Sequence, residues 1–181
     1  MIAEASLPKV LESTAVIRFQ DCDPFGHLNN ARYIDYFMDA RTEQLIDAYE
    51  FDLFAVGQKF GSNWVVSKTK IVYLLPAGIR EKVIIQTRLI LATERKLVVE
   101  AIMLDEHNSH MKSVGWAEFT FVSLANGRPA SHPDELMQLF NTVRIDGIYE
   151  AVTFDERIKQ LRIAQRQKRR EQADAVTLTV L

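Results

Sequence analysis

The 181-residue chain has a single cysteine, Cys22, together with only five prolines and seven glycines. One cysteine excludes an internal disulfide and makes a reducing compartment the expected one. So little proline and glycine excludes a low-complexity or collagen-like chain. An excess of positive charge is missing too: 22 basic side chains stand against 24 acidic ones, for a net charge of −2, which argues against a nucleic-acid partner. Long hydrophobic runs are also absent. The opening MIAEASLPKVLE lacks the basic start and apolar run of a signal peptide, and no later stretch approaches the roughly 18 apolar residues of a membrane span. The expectation is a cytoplasmic protein with no membrane partner. Its 48% hydrophobic content is enough for a core that needs no covalent staples.

What is present divides into a helical start and a β-rich middle. Residues 14–20, TAVIRFQ, predict a strand that stops at Asp21, and Asp23-Pro24 with Gly26 predict the loop after it. From Ala31 to about Tyr49 neither Pro nor Gly intervenes. Ile34, Phe37, Met38, Arg41, Leu45 and Ala48 recur there at helical spacing, with Asn29 or Asn30 as the N-cap. Tyr33, Tyr36, Ala40 and Ile46 widen this stripe, so the helix should be covered on more than one side. After Gly61 come four runs rich in β-formers, at 63–75, 81–93, 96–106 and 110–124, with separators too short for parallel crossovers. One long helix followed by a meander predicts an α+β fold, in which a curved antiparallel sheet of about five strands wraps a central helix. Pro133 with Asp134 and Glu135 marks a second, shorter helix. Residues 155–172 read as a polar, solvated helix with seven basic and three acidic side chains. The chain is accordingly divided into a domain over 1–140 and a helical C-terminal extension over 141–181.

Candidate chemistry concentrates in DCDPFGHLNN, residues 21–30. Where a strand runs into a helix, the helix N-terminus presents unpaired N–H groups and the positive end of the macrodipole. A carboxylate beside such donors supplies the two parts acyl transfer requires: a base or nucleophile, and stabilisation for charge developing on a carbonyl oxygen. Asp21 and Asp23 are the carboxylates. His27, four residues beyond Asp23, is spaced to hold a water or to hydrogen-bond the carboxylate. Asp, Asn and Gly are also what turns select, so a purely structural loop and cap competes with this reading. Acidic neighbours raise the Cys22 thiol and oppose a thiolate role, and Asp21, Asp23 and His27 alone are too few for a metal site. There is no G-x-S-x-G elbow, phosphate-binding glycine loop or C-x-x-C pair.

D-C-D-P-F-G-H-L-N-N-A-R-Y at 21–33, followed by D-A-R-T-E, resembles the signature of the hotdog-fold acyl-CoA thioesterases of the 4-hydroxybenzoyl-CoA thioesterase type. The likeness in layout extends from about residue 12 to 140. It implies a hotdog fold, hydrolysis of acyl-CoA thioesters to free acid and CoA, and assembly as a homodimer or homotetramer. It implies no metal and no cofactor, coenzyme A being part of the substrate. Asp23 would be the nucleophile or general base, with the N–H at Asn29 or Asn30 polarising the thioester carbonyl. His27, Asn29 and Asn30 also resemble the plant acyl-carrier-protein thioesterases, in which the matching His assists the Asp. Tyr33 and Phe37 would line the acyl pocket, and Arg95 and Lys96, at a hairpin, would meet the phosphates of coenzyme A. Two alternatives stay open: a non-catalytic acyl-CoA binding module, and a hotdog hydratase or dehydratase. The hydratase motif places its His five residues after the Asp and includes Asn-Pro, unlike this loop.

Overall fold

The β-rich runs pair as their short connections dictate. In the computed structural model, which describes residues 7–179, β1 (Val10–Val16), β2 (Ser62–Tyr73), β3 (Lys82–Ala92), β4 (Lys96–Asp105) and β5 (Met111–Ser123) form one antiparallel sheet in the order β1-β3-β4-β5-β2. The helices are α1 (Tyr33–Tyr49), α2 (Leu53–Phe60), α3 (Asp134–Val143) and α4 (Phe154–Thr179). This is the hotdog layout, a curved sheet around the long helix α1. No described helix is long and apolar enough to cross a membrane.

Strand periodicity divides the side chains between two faces. Val83, Ile85, Ala101 and Met103 pack on the inner face with Tyr33, Phe37 and Ala40 of α1. Further along the same face, Leu89, Leu97, Val99 and Phe121 meet Leu136 and Phe140 of α3. On the outer face Ile90, Val98, Ile102, Val114 and Trp116 pack beneath Phe154 and Ile158 of α4. Covered on both sides, β4 is buried along almost its whole length. Gly115 of β5 marks the tightest approach of helix to sheet: a Cβ there would stand 3.2 Å from the Phe37 ring.

Three features differ from the sequence reading. The first strand lies at Val10–Val16 rather than 14–20. Ile17 still anchors the segment, being fully buried with its N–H on Glu81 O (2.9 Å), but Phe19, 80% exposed, begins a 3-10 turn. The run was apolar enough for a strand, yet the ladder partners of β3 start earlier, at Val10 opposite Arg88. Helix α2 was not foreseen. Asp52 caps it by accepting the Phe54 N–H at 2.8 Å, and Gly61 ends it in the left-handed region at φ 59°. The polar helix, expected as a solvated extension, is part of the core through its first turns.

A buried ion cluster fastens α4 to the sheet. Glu100 of β4 is wholly buried and accepts hydrogen bonds from Arg157 Nε and Nη2, both at 2.9 Å, and from Trp116 Nε1 at 3.0 Å. Arg88 brings its Nε to 3.4 Å of the same carboxylate. Desolvation pushes the Glu100 carboxyl up, but the hydrogen bonds and charge of Arg157, with Trp116 and Arg88, outweigh it and hold the group below the usual carboxylate range.

Candidate active site

The acid-rich loop between β1 and α1 is a tight turn closed by its own aspartate. Asp23 N–H bonds His27 O (2.7 Å) and Gly26 N–H bonds Asp23 O (3.0 Å), while Gly26 adopts φ 75°, open to glycine at no steric cost. Asp23 Oδ1 accepts the N–H groups of Phe25 (2.9 Å) and His27 (3.1 Å). Oδ2 has no hydrogen-bond partner among the described residues. One carboxylate oxygen is thus fixed by the turn and the other is left available. The link between His27 and Asp23 runs through the His27 backbone, and the exposed imidazole makes no hydrogen bond among the described residues.

Two contacts bring this turn to the start of the helix. Cys22 bridges Leu28, and the Asn29 N–H donates to Asp21 O at 2.9 Å. The Asn29 side chain caps a short 3-10 turn, Asn30–Arg32, by accepting the Ala31 N–H at 3.0 Å. Of the two N–H groups named from sequence, that of Asn29 is therefore committed, while that of Asn30 has no partner among the described residues. Tyr73 donates to Asn30 O (2.8 Å), its ring meets Tyr33 edge-on at 5.1 Å, and Tyr36 donates to Asp21 Oδ2 (2.9 Å). Tyr73 and Tyr36 thus position the site, although the sequence reading assigned them no role there. Cys22 is less acidic than a free thiol, through burial first and then through Asp21 and Asp23.

Between α1 and the inner face lie two adjoining apolar cavities. One of about 20 Å³ is walled by Phe37, Ile71, Ala101 and Trp116. A larger one of about 120 Å³ reaches Trp64, Leu97 and, on α3, Phe140. Met38, Arg41, Val99 and Phe119 belong to both walls. Phe37 is therefore a lining residue. Tyr33 lines neither cavity and sits in the core, where its hydroxyl accepts the Ala77 N–H at 3.2 Å. Arg41 is the unexpected occupant. Its stripe position on α1 was visible in sequence, and a cation on an apolar stripe was the signal to follow.

The structure does not bring Arg95 and Lys96 to this loop within one chain. They sit at the β3–β4 hairpin, while the loop pairs with residues near the other end of β3 through His27 opposite Gly78. β3 has 11 residues, which at about 3.3 Å each separates the two ends by roughly 35 Å. Lys96 pairs with Glu118 at 2.7 Å, and Arg95 is 3.7 Å from Glu94. A Ser109–His110–Asp105 cluster resembles a hydrolase triad by composition alone. Both Ser109 Oγ and Asp105 Oδ2 approach the same His110 nitrogen, Nδ1, at 2.9 Å, and Nε2 faces Arg169 at 3.1 Å. A nucleophile must lie on the ring nitrogen opposite the orienting acid, so this group caps a turn.

The curved sheet around α1, with a carboxylate turn at the helix start and apolar cavities between helix and sheet, defines a hotdog-fold protein. The chain belongs to the Thioesterase-like superfamily, whose sequence pattern it matches over residues 17–140. Among solved structures it is similar to the probable thioesterase YbaW from Escherichia coli, at 21% identity and TM-score 0.64, over 74% of this chain and 98% of that one. The DHNA-CoA thioesterase from Staphylococcus aureus gives 19% and 0.64, over 75% of this chain and 98% of that one. The 12:0-ACP thioesterase from Umbellularia californica gives 16% and 0.70, over 81% of this chain and 54% of that one. No curated protein sequence matches the chain.

Proposed function

We propose that the protein hydrolyses acyl-CoA thioesters, with Asp23 as nucleophile or general base and the Asn30 N–H as the donor to the thioester oxygen. The observation that carries this reading is the pairing of two uncommitted groups on adjoining arms of one loop: Asp23 Oδ2, on a carboxylate whose other oxygen is held by two N–H bonds, and the Asn30 N–H at the helix start. A fixed carboxylate loses little freedom on reaching the transition state, and a donor already oriented at a helix N-terminus needs no reorganisation. His27 is exposed at the same turn and serves as a proton acceptor or a holder of water. Phe37 and the cavity beyond it receive the acyl group.

Membership of the Thioesterase-like superfamily supports thioester hydrolysis over a hydratase. The named activity of the Staphylococcus neighbour favours coenzyme A as the carrier, and that of the Umbellularia neighbour keeps acyl-carrier protein as the competing one. Assembly into a dimer or tetramer suits a sheet whose strand β2 has an open edge with Val65 and Val66 about half exposed. In a dimer we assign the contact with the coenzyme A phosphates to Arg95 and Lys96 of a second copy, exchanging their Glu94 and Glu118 partners for phosphate.

The test is free-thiol release from short, medium, long and aromatic acyl-CoAs by wild type and Asp23→Asn. The amide keeps an acceptor oxygen for the Phe25 and His27 N–H groups, so the turn survives. The expected loss is about 10²- to 10⁴-fold in kcat with KM little changed. Wild-type turnover by the variant on every substrate would remove Asp23 from the mechanism. Binding without turnover by the wild type would turn the reading to an acyl-CoA binding module.

A further inference from the structure

The inner face holds a guanidinium with no counter-charge among the described residues. Arg41 makes one side-chain hydrogen bond among the described residues, from Nη1 to Thr87 Oγ1 at 3.1 Å, and Nε and Nη2 are unused. Thr87 is itself held, donating to Gln44, whose Nε2 bonds Ser13 Oγ (2.8 Å) and Ile85 O (3.0 Å). The remaining polar groups of the cavity wall are committed elsewhere: Thr42 bonds Met38 O, Asn63 bonds Leu53 O, and Tyr49 bonds Pro8 O. The rest of the wall is Leu, Val, Phe, Met and Trp. Arg41 is half-buried and lines both cavities. Burial lowers its guanidinium to about 10, which leaves it fully charged at neutral pH, and no carboxylate among the described residues offsets the loss of water.

A lone buried cation is costly, and the spare donors of a planar guanidinium match one partner best, a carboxylate taken bidentately. The geometry points to Arg41 as the recognition site for a carboxylate at the far end of the acyl chain, making the preferred substrate a monothioester of a medium-length dicarboxylic acid. This rests on the thioesterase reading above and adds the substrate class to it. Arg41 lies eleven residues beyond Asn30 along the helix axis. A helical rise of about 1.5 Å per residue places it some 15 Å from the proposed carbonyl site. A zigzag chain with bonds of about 1.5 Å covers that span with roughly ten to twelve carbons. Arg41 stands where the two cavities meet, the smaller on its carbonyl side and the larger continuing toward α3, and the side chains around it are mainly apolar, as methylenes require.

The experiment compares dodecanoyl-CoA with the CoA monothioester of dodecanedioic acid. It measures kcat/KM for wild type, Arg41→Met and Arg41→Lys. Binding of both thioesters to the Asp23→Asn variant is followed by tryptophan fluorescence, since Trp64 borders the larger cavity. Wild type should favour the ω-carboxylate by roughly tenfold or more in both readouts, the usual worth of a hydrogen bond to a charged group. Arg41→Met should abolish or invert that preference, and Arg41→Lys, which keeps the charge but loses the fork, should retain part of it. If neither thioester is hydrolysed yet the diacid form binds more tightly, the Arg41 site stands and the thioesterase reading falls. If wild type hydrolyses both with equal efficiency, the thioesterase reading stands and the Arg41 site falls. If Arg41→Met fails to fold, equal preference in wild type and Arg41→Lys overturns the proposal. If a variant keeps the preference but shifts sedimentation from dimer to monomer, Arg41 belongs to a subunit interface and the proposal is overturned.

Discussion

On the outer face of the sheet Arg157 and Arg88 converge on Glu100, a carboxylate wholly shut from water. On the inner face Arg41 is held by a threonine hydroxyl and meets no carboxylate among the described residues. The same fold thus treats a desolvated guanidinium in two ways, with Thr87 and Arg88, adjacent on β3, pointing to opposite faces. Where the arginine fastens one element to another, the chain supplies the opposite charge: Arg157 donates twice to Glu100, and Arg88 stands beside the same carboxylate even though its buried Nε makes no hydrogen bond among the described residues. Where it lines a cavity, no carboxylate is supplied among the described residues. The contrast separates a charge that builds the protein from one that waits for something to be bound.

Substitutions at the two faces put this contrast at risk, and the largest effect on stability should come from the outer one. Glu100→Gln leaves Arg157 and Arg88 buried without an anion, and we expect a loss of about 3–5 kcal/mol in urea unfolding. Arg41→Met removes a cation that has no anion, so its unfolding free energy should match or exceed that of wild type. A loss as large as that of Glu100→Gln would make Arg41 structural and erase the difference. Next in size, Gly115→Ala sets a methyl 3.2 Å from the Phe37 ring. The expected cost is about 1–3 kcal/mol from overpacking, with the smaller cavity narrowed at Phe37.

The smallest effect concerns His132, whose Nδ1 donates to Thr93 O and whose Nε2 accepts from Trp64 Nε1, both at 2.9 Å. Burial lowers its pKa from 6.5, and the Thr93 carbonyl only partly restores it. With both states neutral above pH 6.5, this contribution is complete there. As pH falls below that value the unfolded chain takes up the proton first, so stability declines toward the lowered folded pKa. The slope of Tm against pH between about 7 and 5 should be shallower in His132→Gln than in wild type; an unchanged slope would mean that the imidazole takes up its proton as readily in the fold as in the unfolded chain.

Much of this architecture was legible in the residues. Long β-rich runs with two- to five-residue separators admit little but an antiparallel meander, and the stripe from Ile34 to Leu45 gave α1 to within two residues at its start. α2 was hidden by Gly57 in its middle and by its eight-residue length. In α4 the density of Arg and Lys masked Phe154, Ile158 and Leu161, which recur at helical spacing on the face that meets the sheet. The Asp23 turn could be read because its bonds are local. What Arg41 lacks could not be read, since the absence of a carboxylate depends on which strands surround the helix. Choosing between Asn29 and Asn30 needed the bond from Asn29 to Asp21, which only the folded loop displays.

The fastening of α4 also sets an order in time. Glu100 and Arg157 are 57 positions apart, so at the ribosome's pace of 5–20 residues per second the carboxylate emerges roughly 3–11 seconds before its main partner. Over that interval the nascent sheet has an exposed apolar outer face and, at its centre, an acid that must stay in water or take up a proton. A message truncated ahead of Arg157 would yield a product that chaperones hold and proteases clear, even though every residue of the proposed catalytic loop had already been made.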